Sequence, residues 1–138
     1  VTGLVVDASV MGPLIVPDEG DDLVPAVLNA LLAGEALVPL HWRLEVANLA
    51  RMAVRKGRLT DQALVAVFDD FRDLNVSVDP ETDRLAWGDS LELSRRHDLT
   101  AYDAAYLELA MRADLPLATL DRRLRGAARA EKVELLPK

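Results

Sequence analysis

Cysteine is missing altogether from this chain, which excludes disulfides, thiolate metal ligands and cysteine nucleophiles and leaves the fold to rest on its own packing. Histidine occurs only at His41 and His97, too sparsely for a His-rich zinc site. Lysine is confined to Lys56, Lys132 and Lys138, so the basic side chains are nearly all arginine, the better bidentate partner for phosphate or carboxylate. No apolar run approaches the ~20 residues that span a bilayer, and Leu4-Val5-Val6 opens the chain without the basic, longer apolar segment of a secretory signal. The expectation is a cytoplasmic protein with no membrane association. A Gly-rich phosphate loop and a Gly-Lys-Ser/Thr motif are also lacking, which removes the nucleotide-binding class.

What is present is globular in character. With 51% hydrophobic and 28% charged residues in 138, the chain is predicted to form one compact domain over residues 1–138. Its formal net charge of -7 runs against nucleic-acid binders, which draw most of their affinity from phosphate neutralisation. RNA or DNA as a substrate therefore requires metal ions or local arginines to carry the contact.

Short apolar runs of strand length recur at Leu4 to Val6, Ala36 to Val38, Val76 to Val78, Leu117 to Thr119 and Val133 to Leu136. Between them lie helical patterns with recognisable caps. Asp22 precedes Leu23 to Ala33, and Gly34 stops it. Leu40 to Lys56 closes at Gly57, and Thr60 precedes Asp61 to Leu74. Asp79-Pro80 starts a helix to about Arg96, Thr100 one to about Ala113, and Asp121 one over Arg122 to Ala130. Gly12 and Pro13 disfavour a regular opening to the first helix. Strict alternation of strand and helix predicts an α/β fold, a mostly parallel five-stranded sheet covered by helices on both faces.

In such a sheet, ligands bind beyond the carboxyl ends of the strands. Asp7 directly follows the first strand and Asp121 follows the fourth, so both deliver a carboxylate to the same rim. Glu45 and Asp103 can join them from helix N-terminal turns, with Asn48 one turn beyond Glu45 on the same face. Each acid alone has an ordinary explanation: Asp103 completes a capping-box spacing with Thr100, Asp121 caps the last helix, and Asp7 closes a turn. Four carboxylates together repel one another unless a cation compensates. All-oxygen ligands select Mg²⁺ or Mn²⁺, and a metal-bound water then serves as nucleophile without any histidine base.

At these residues the sequence resembles the PIN-domain family, and within it the VapC-type toxins of bacterial toxin–antitoxin pairs. The matching stretches are Val5-Val6-Asp7-Ala8-Ser9-Val10, Glu45-Val46-Ala47-Asn48-Leu49, Leu99-Thr100-Ala101-Tyr102-Asp103-Ala104-Ala105-Tyr106-Leu107 and Leu117-Ala118-Thr119-Leu120-Asp121. They occur in the family's order and span essentially the whole chain. The resemblance implies a three-layer α/β/α sandwich and a Mg²⁺- or Mn²⁺-dependent endoribonuclease whose acids are Asp7, Glu45, Asp103 and Asp121. It implies supporting roles for Ser9, Thr119 and Asn48. It further implies a VapB-like antitoxin partner, whose tail wraps the toxin, and a homodimer.

Other features have two readings each. Arg122, Arg123, Arg125 and Arg129 either meet RNA phosphates or form a solvated helix face. Tyr102 beside Asp103 is placed to stack a base if exposed, whereas Tyr106 reads as core and His41 as packing. Leu23, Val27, Leu28, Leu31 and Leu32 form an apolar stripe suited to core or to an antitoxin tail. Arg95, Arg96 and His97 complement a helix dipole, and the Asp18, Glu19, Asp21, Asp22 cluster reads as a solvated loop. Two alternatives compete with the toxin: a stand-alone PIN nuclease that processes RNA, and a receiver-like Mg²⁺-binding module with Asp79 as phosphoacceptor.

Overall fold

The computed structural model describes residues 3–16 and 24–138. Asp18, Glu19, Asp21, Asp22 and Leu23, and with them the expected cap of the second helix, lie outside the described residues. In chain order the elements are β1 (Leu4–Val6), a 3₁₀ turn (Ala8–Met11), α1 (Gly12–Ile15), α2 (Val24–Ala33), β2 (Ala36–Val38), α3 (Trp42–Arg55), α4 (Asp61–Arg72) and β3 (Val76–Val78). There follow α5 (Thr82–Leu85), α6 (Asp89–His97), α7 (Ala101–Ala113), β4 (Leu117–Ala118), α8 (Arg122–Ala130) and β5 (Leu135–Leu136).

The five strands pair in the order β3-β2-β1-β4-β5, every neighbour parallel, and helices cover both faces in a three-layer α/β/α sandwich. β1 lies in the middle, so all three of its residues are buried, as a strand covered on both faces requires. After β3 at one edge the chain crosses back through α5, α6 and α7 to enter β4 on the far side of β1. The strand order therefore reverses between β1 and β4, where an α/β sheet opens a crevice at its carboxyl edge. Receiver-type sheets run 2-1-3-4-5, so this order excludes the receiver reading.

Local chemistry explains the boundaries. The Thr60 hydroxyl accepts from Ala63 N at 3.1 Å, Thr100 from Asp103 N at 3.1 Å and the Asp121 carboxylate from Leu124 N at 2.8 Å, each satisfying an amide at its helix's first turn. Gly57 takes the left-handed φ of 74° that ends the α3 segment. The helix expected from Asp79-Pro80 to Arg96 is instead two. Gly88 adopts φ -111° and ψ -108°, outside the helical region, and separates α5 from α6. β5 starts later than the apolar run suggests because Val133 N is bonded to Ala128 O, closing the end of α8. Thr119 falls just past β4 while its amide still reaches Leu136 O at 3.1 Å.

The core is built from β1, the 3₁₀ turn and the inner faces of α3, α7 and α8, with Val5, Val10, Met11, Leu107, Leu117 and Leu124 fully buried. Of the α2 stripe, Val27 and Leu31 are core while Leu28 and Leu32 are exposed. Among the described residues no helix is long and apolar enough to cross a membrane.

Candidate active site

Asp7 follows central β1 and is 4% exposed. Its Oδ2 receives two hydroxyls, from Ser9 Oγ at 2.7 Å and from Thr119 Oγ1 at 2.7 Å. The same two hydroxyls reach onward: Leu120 N donates to Ser9 Oγ at 2.9 Å, and Asp121 N donates to Thr119 Oγ1 at 3.1 Å. One small polar cluster thus fixes the ends of β1 and β4 together and sets the backbone from which Asp121 projects. Burial pushes the Asp7 carboxyl up, the Thr119 and Ser9 hydroxyls hold it back, and the charge of Asp121 pushes it further up, leaving a net rise.

Asp103 enters from the first turn of α7, where the Thr100 cap holds its amide. Its carboxyl is pushed up to about 6, first by burial and then by the charges of Asp7, Asp121 and Glu45. Of the four acids singled out in the sequence, Asp103 thus feels the charge of the other three. The leading charges acting on Asp103 are all carboxylates.

Glu45 is carried by the first turn of α3. Tyr106, fully buried on α7, donates its hydroxyl to Glu45 Oε1, and His41 Nε2 lies 3.5 Å from the same oxygen. Burial and the Glu45 hydrogen bond raise the Tyr106 hydroxyl far above its ordinary range, so it remains a donor. The sequence places Tyr106 in the core but carries little sign of this bond; the available signal is that a buried tyrosine hydroxyl needs a partner. His41 does more than pack. Its ring sits edge-on to both Tyr102 and Tyr106 at 5.5 and 5.4 Å, and its Nε2 lies 3.2 Å from Tyr102 O. Asn48 is exposed on α3.

The arginines of α8 separate. Arg125 donates to Thr119 O at 2.8 Å and Pro137 O at 2.6 Å, fastening the chain behind the site, and Arg123 turns to Asp98. Arg122 and Arg129 are exposed. His97 joins Arg96 on Glu131, at 2.6 and 2.9 Å, so these residues tie α6 to the end of α8.

Asp7, Glu45, Asp103 and Asp121 offer oxygen donors only. Among the described residues no three acidic or histidine side chains close into a ready metal cage. That suits Mg²⁺, which is usually held by one or two carboxylates together with waters and substrate phosphates. The donor set and the uncompensated like charges on Asp103 fit a divalent cation.

The PIN domain profile matches residues 4–130. The chain belongs to the PIN-domain family. Within it the similarity is to VapC-type proteins: Ribonuclease VapC3 of Mycobacterium tuberculosis is 34% identical over 126 residues, covering 90% of this chain and 86% of that protein. Ribonuclease VapC3 of Pyrobaculum aerophilum is 29% identical over 121 residues, covering 88% and 91% respectively. The crystal structure of PAE2754 from Pyrobaculum aerophilum shares the PIN fold at a TM-score of 0.62 and 24% identity, over 96% of this chain and 82% of that one.

Proposed function

We propose that this PIN domain is a Mg²⁺- or Mn²⁺-dependent endoribonuclease, the toxin of a VapBC-type toxin–antitoxin pair acting on cytoplasmic RNA. What supports the reading is that Asp7, at the switch point of the sheet, is held by the Ser9 and Thr119 hydroxyls that also set Asp121, and that the charges of Asp7, Asp121 and Glu45 raise the Asp103 carboxyl. The similarity to proteins named ribonucleases gives it a substrate class.

Asp7, Glu45, Asp103 and Asp121 are the residues that hold the metal. When bound, it supplies Lewis-acid polarisation of a phosphoryl oxygen and a water of lowered pKa. The chain's own part is to hold this rim in place. Ser9 and Thr119 fix one oxygen of Asp7, Thr119 fixes the Asp121 amide, and Tyr106 fixes Glu45. Such supports orient first-contact ligands and are typically worth 10–100-fold in metal affinity or activity. The acidity of the whole chain suits a basic partner segment, and a VapB-like antitoxin meets that description, with the toxin itself a homodimer.

The test is cleavage of total RNA by purified protein, freed of antitoxin, with Mg²⁺, Mn²⁺ or EDTA and beside Asp7→Asn. Metal-dependent cutting that the substitution abolishes is expected. A folded protein that cuts no RNA with either metal overturns the reading.

A further inference from the structure

A cavity of about 200 Å³ lies beside the acidic rim, lined by Leu40, His41, Asp83, Ser90, Ala101 and Tyr102 among others. It is smaller than the ~300–1,000 Å³ of sites for drug-sized ligands, so it suits a single planar ring. Its wall includes the residue next to Asp103, which places it one step along the chain from the proposed reacting centre. Ser90 is 3% exposed, lines the cavity and has no side-chain hydrogen bond among the described residues. Thr82, which also lines it, is already engaged: its hydroxyl accepts from Leu40 N at 3.1 Å and lies 3.2 Å from Asp79 Oδ2. Ser90 is therefore the hydroxyl left for an occupant, and Asp83 adds a carboxylate acceptor.

Exposed apolar side chains belong to the lining or lie close to it in sequence. Tyr102 is 63% exposed and Trp87, which follows the cavity-lining Ala86, is 92% exposed. Leu40 on the lining and Leu44 at the start of α3 are also exposed. Exposed apolar surface concentrated at one place marks a contact site. Flat aromatic faces around a ring-sized, hydroxyl-bearing cavity match an unstacked nucleobase, which stacks on its face and hydrogen-bonds along its edge.

We propose that this cavity is a nucleobase subsite, in which Tyr102 and the His41 ring beside it receive one unstacked base of a single-stranded RNA whose phosphate lies over the acids, with Ser90 and Asp83 meeting the base edge. The proposal rests on the ribonuclease reading above and deepens it. His41 orients Tyr102 through their edge-on contact.

Binding rather than cleavage separates the two claims. Fluorescence anisotropy is measured with labelled single-stranded RNA octamers on an Asp7→Asn background, which leaves the RNA intact, with each position in turn made abasic. One position is expected at which loss of the base weakens binding roughly 5- to 100-fold, the range of base–aromatic stacking. That penalty disappears in Tyr102→Ala and in Ala101→Leu, which fills the cavity from an exposed position, and it survives in Tyr102→Phe, which keeps the ring. A penalty unchanged in both variants, or no base-dependent position in an RNA that binds, overturns the subsite and leaves the nuclease reading standing. No RNA binding, together with no metal-dependent cleavage by the unsubstituted protein, removes both.

Discussion

Two aspartates of this chain begin from the same position and end in opposite states. Asp7 follows β1 and Asp79 follows β3, both at the carboxyl edge of one parallel sheet, and each is 4% exposed. Asp79 meets the guanidinium of Arg112, with Oδ2 at 2.6 Å and Oδ1 at 3.2 Å, and Arg112 also binds Glu108 at 2.8 Å. Burial raises the Asp79 carboxyl, but the Arg112 hydrogen bonds and charge, with the Glu81 amide, outweigh it and leave the group below its ordinary range. Asp7 has two hydroxyls and a neighbouring carboxylate instead, and its carboxyl is raised. Equal burial therefore does not decide which way a carboxyl shifts. The missing counter-charge does.

The comparison breaks most visibly by neutralising each aspartate's environment. Asp7→Asn is expected to lower RNA cleavage by at least ~10³-fold while the metal-free protein melts at the same temperature or higher, because one of the mutually repelling charges is gone. An equal loss of activity and melting temperature would make Asp7 a structural residue like Asp79. Arg112→Ala is the converse. It leaves Asp79 and Glu108 buried without their cation and should cost about 3 kcal/mol, lowering Tm by roughly 10 °C in a thermal melt. Unchanged stability there would show the pair to be well solvated.

Smaller effects sharpen the contrast. Thr119→Val removes one hydroxyl from Asp7 and the acceptor of the Asp121 amide, and is expected to cost about 10–100-fold in kcat/KM or metal affinity with little change in Tm. Loss of stability without loss of activity would assign Thr119 to packing alone. The last prediction concerns pH. Burial and neighbouring carboxylates push the Asp103 carboxyl up to about 6 in the fold from an ordinary 3.8, so the native state binds more protons between those values and loses stability as pH rises through them. Metal-free protein should melt at a lower temperature at pH 7 than at pH 5, and Mg²⁺ or Asp103→Asn should flatten that slope. A Tm that rises from pH 5 to pH 7 in EDTA would reverse the sign assigned to Asp103.

How much of this was legible in sequence depends on distance along the chain. Asp7 and Asp121 were readable because an acid after a short apolar run, in a chain of alternating strands and helices, has only one edge of the sheet to occupy. Thr60, Thr100 and Asp121 as caps were readable because capping is settled within three residues. The bond from Arg112 to Asp79, 33 residues earlier, leaves no local signal. The bond from Tyr106 to Glu45 spans 61 residues and depends on how α7 packs against α3. The break at Gly88 was hidden because Leu85 and Ala86 before it are good helix formers.

The two hydroxyls on Asp7 fall on the same oxygen. Ser9 and Thr119 both donate to Oδ2, and among the described residues no other side chain donates to this carboxylate, so the hydroxyls that hold it fall on one oxygen alone. In the metal-holding role proposed for it, a carboxylate fixed in that way would offer its other oxygen. Ions that prefer short, single-oxygen contacts in octahedral array accept it, whereas larger ions such as Ca²⁺, which take ~6–8 oxygens and often chelate a carboxylate by both, gain little. If Asp7 holds a metal as proposed, denticity limited by two neutral hydroxyls would act as a size filter, one that discriminates between cations of equal charge.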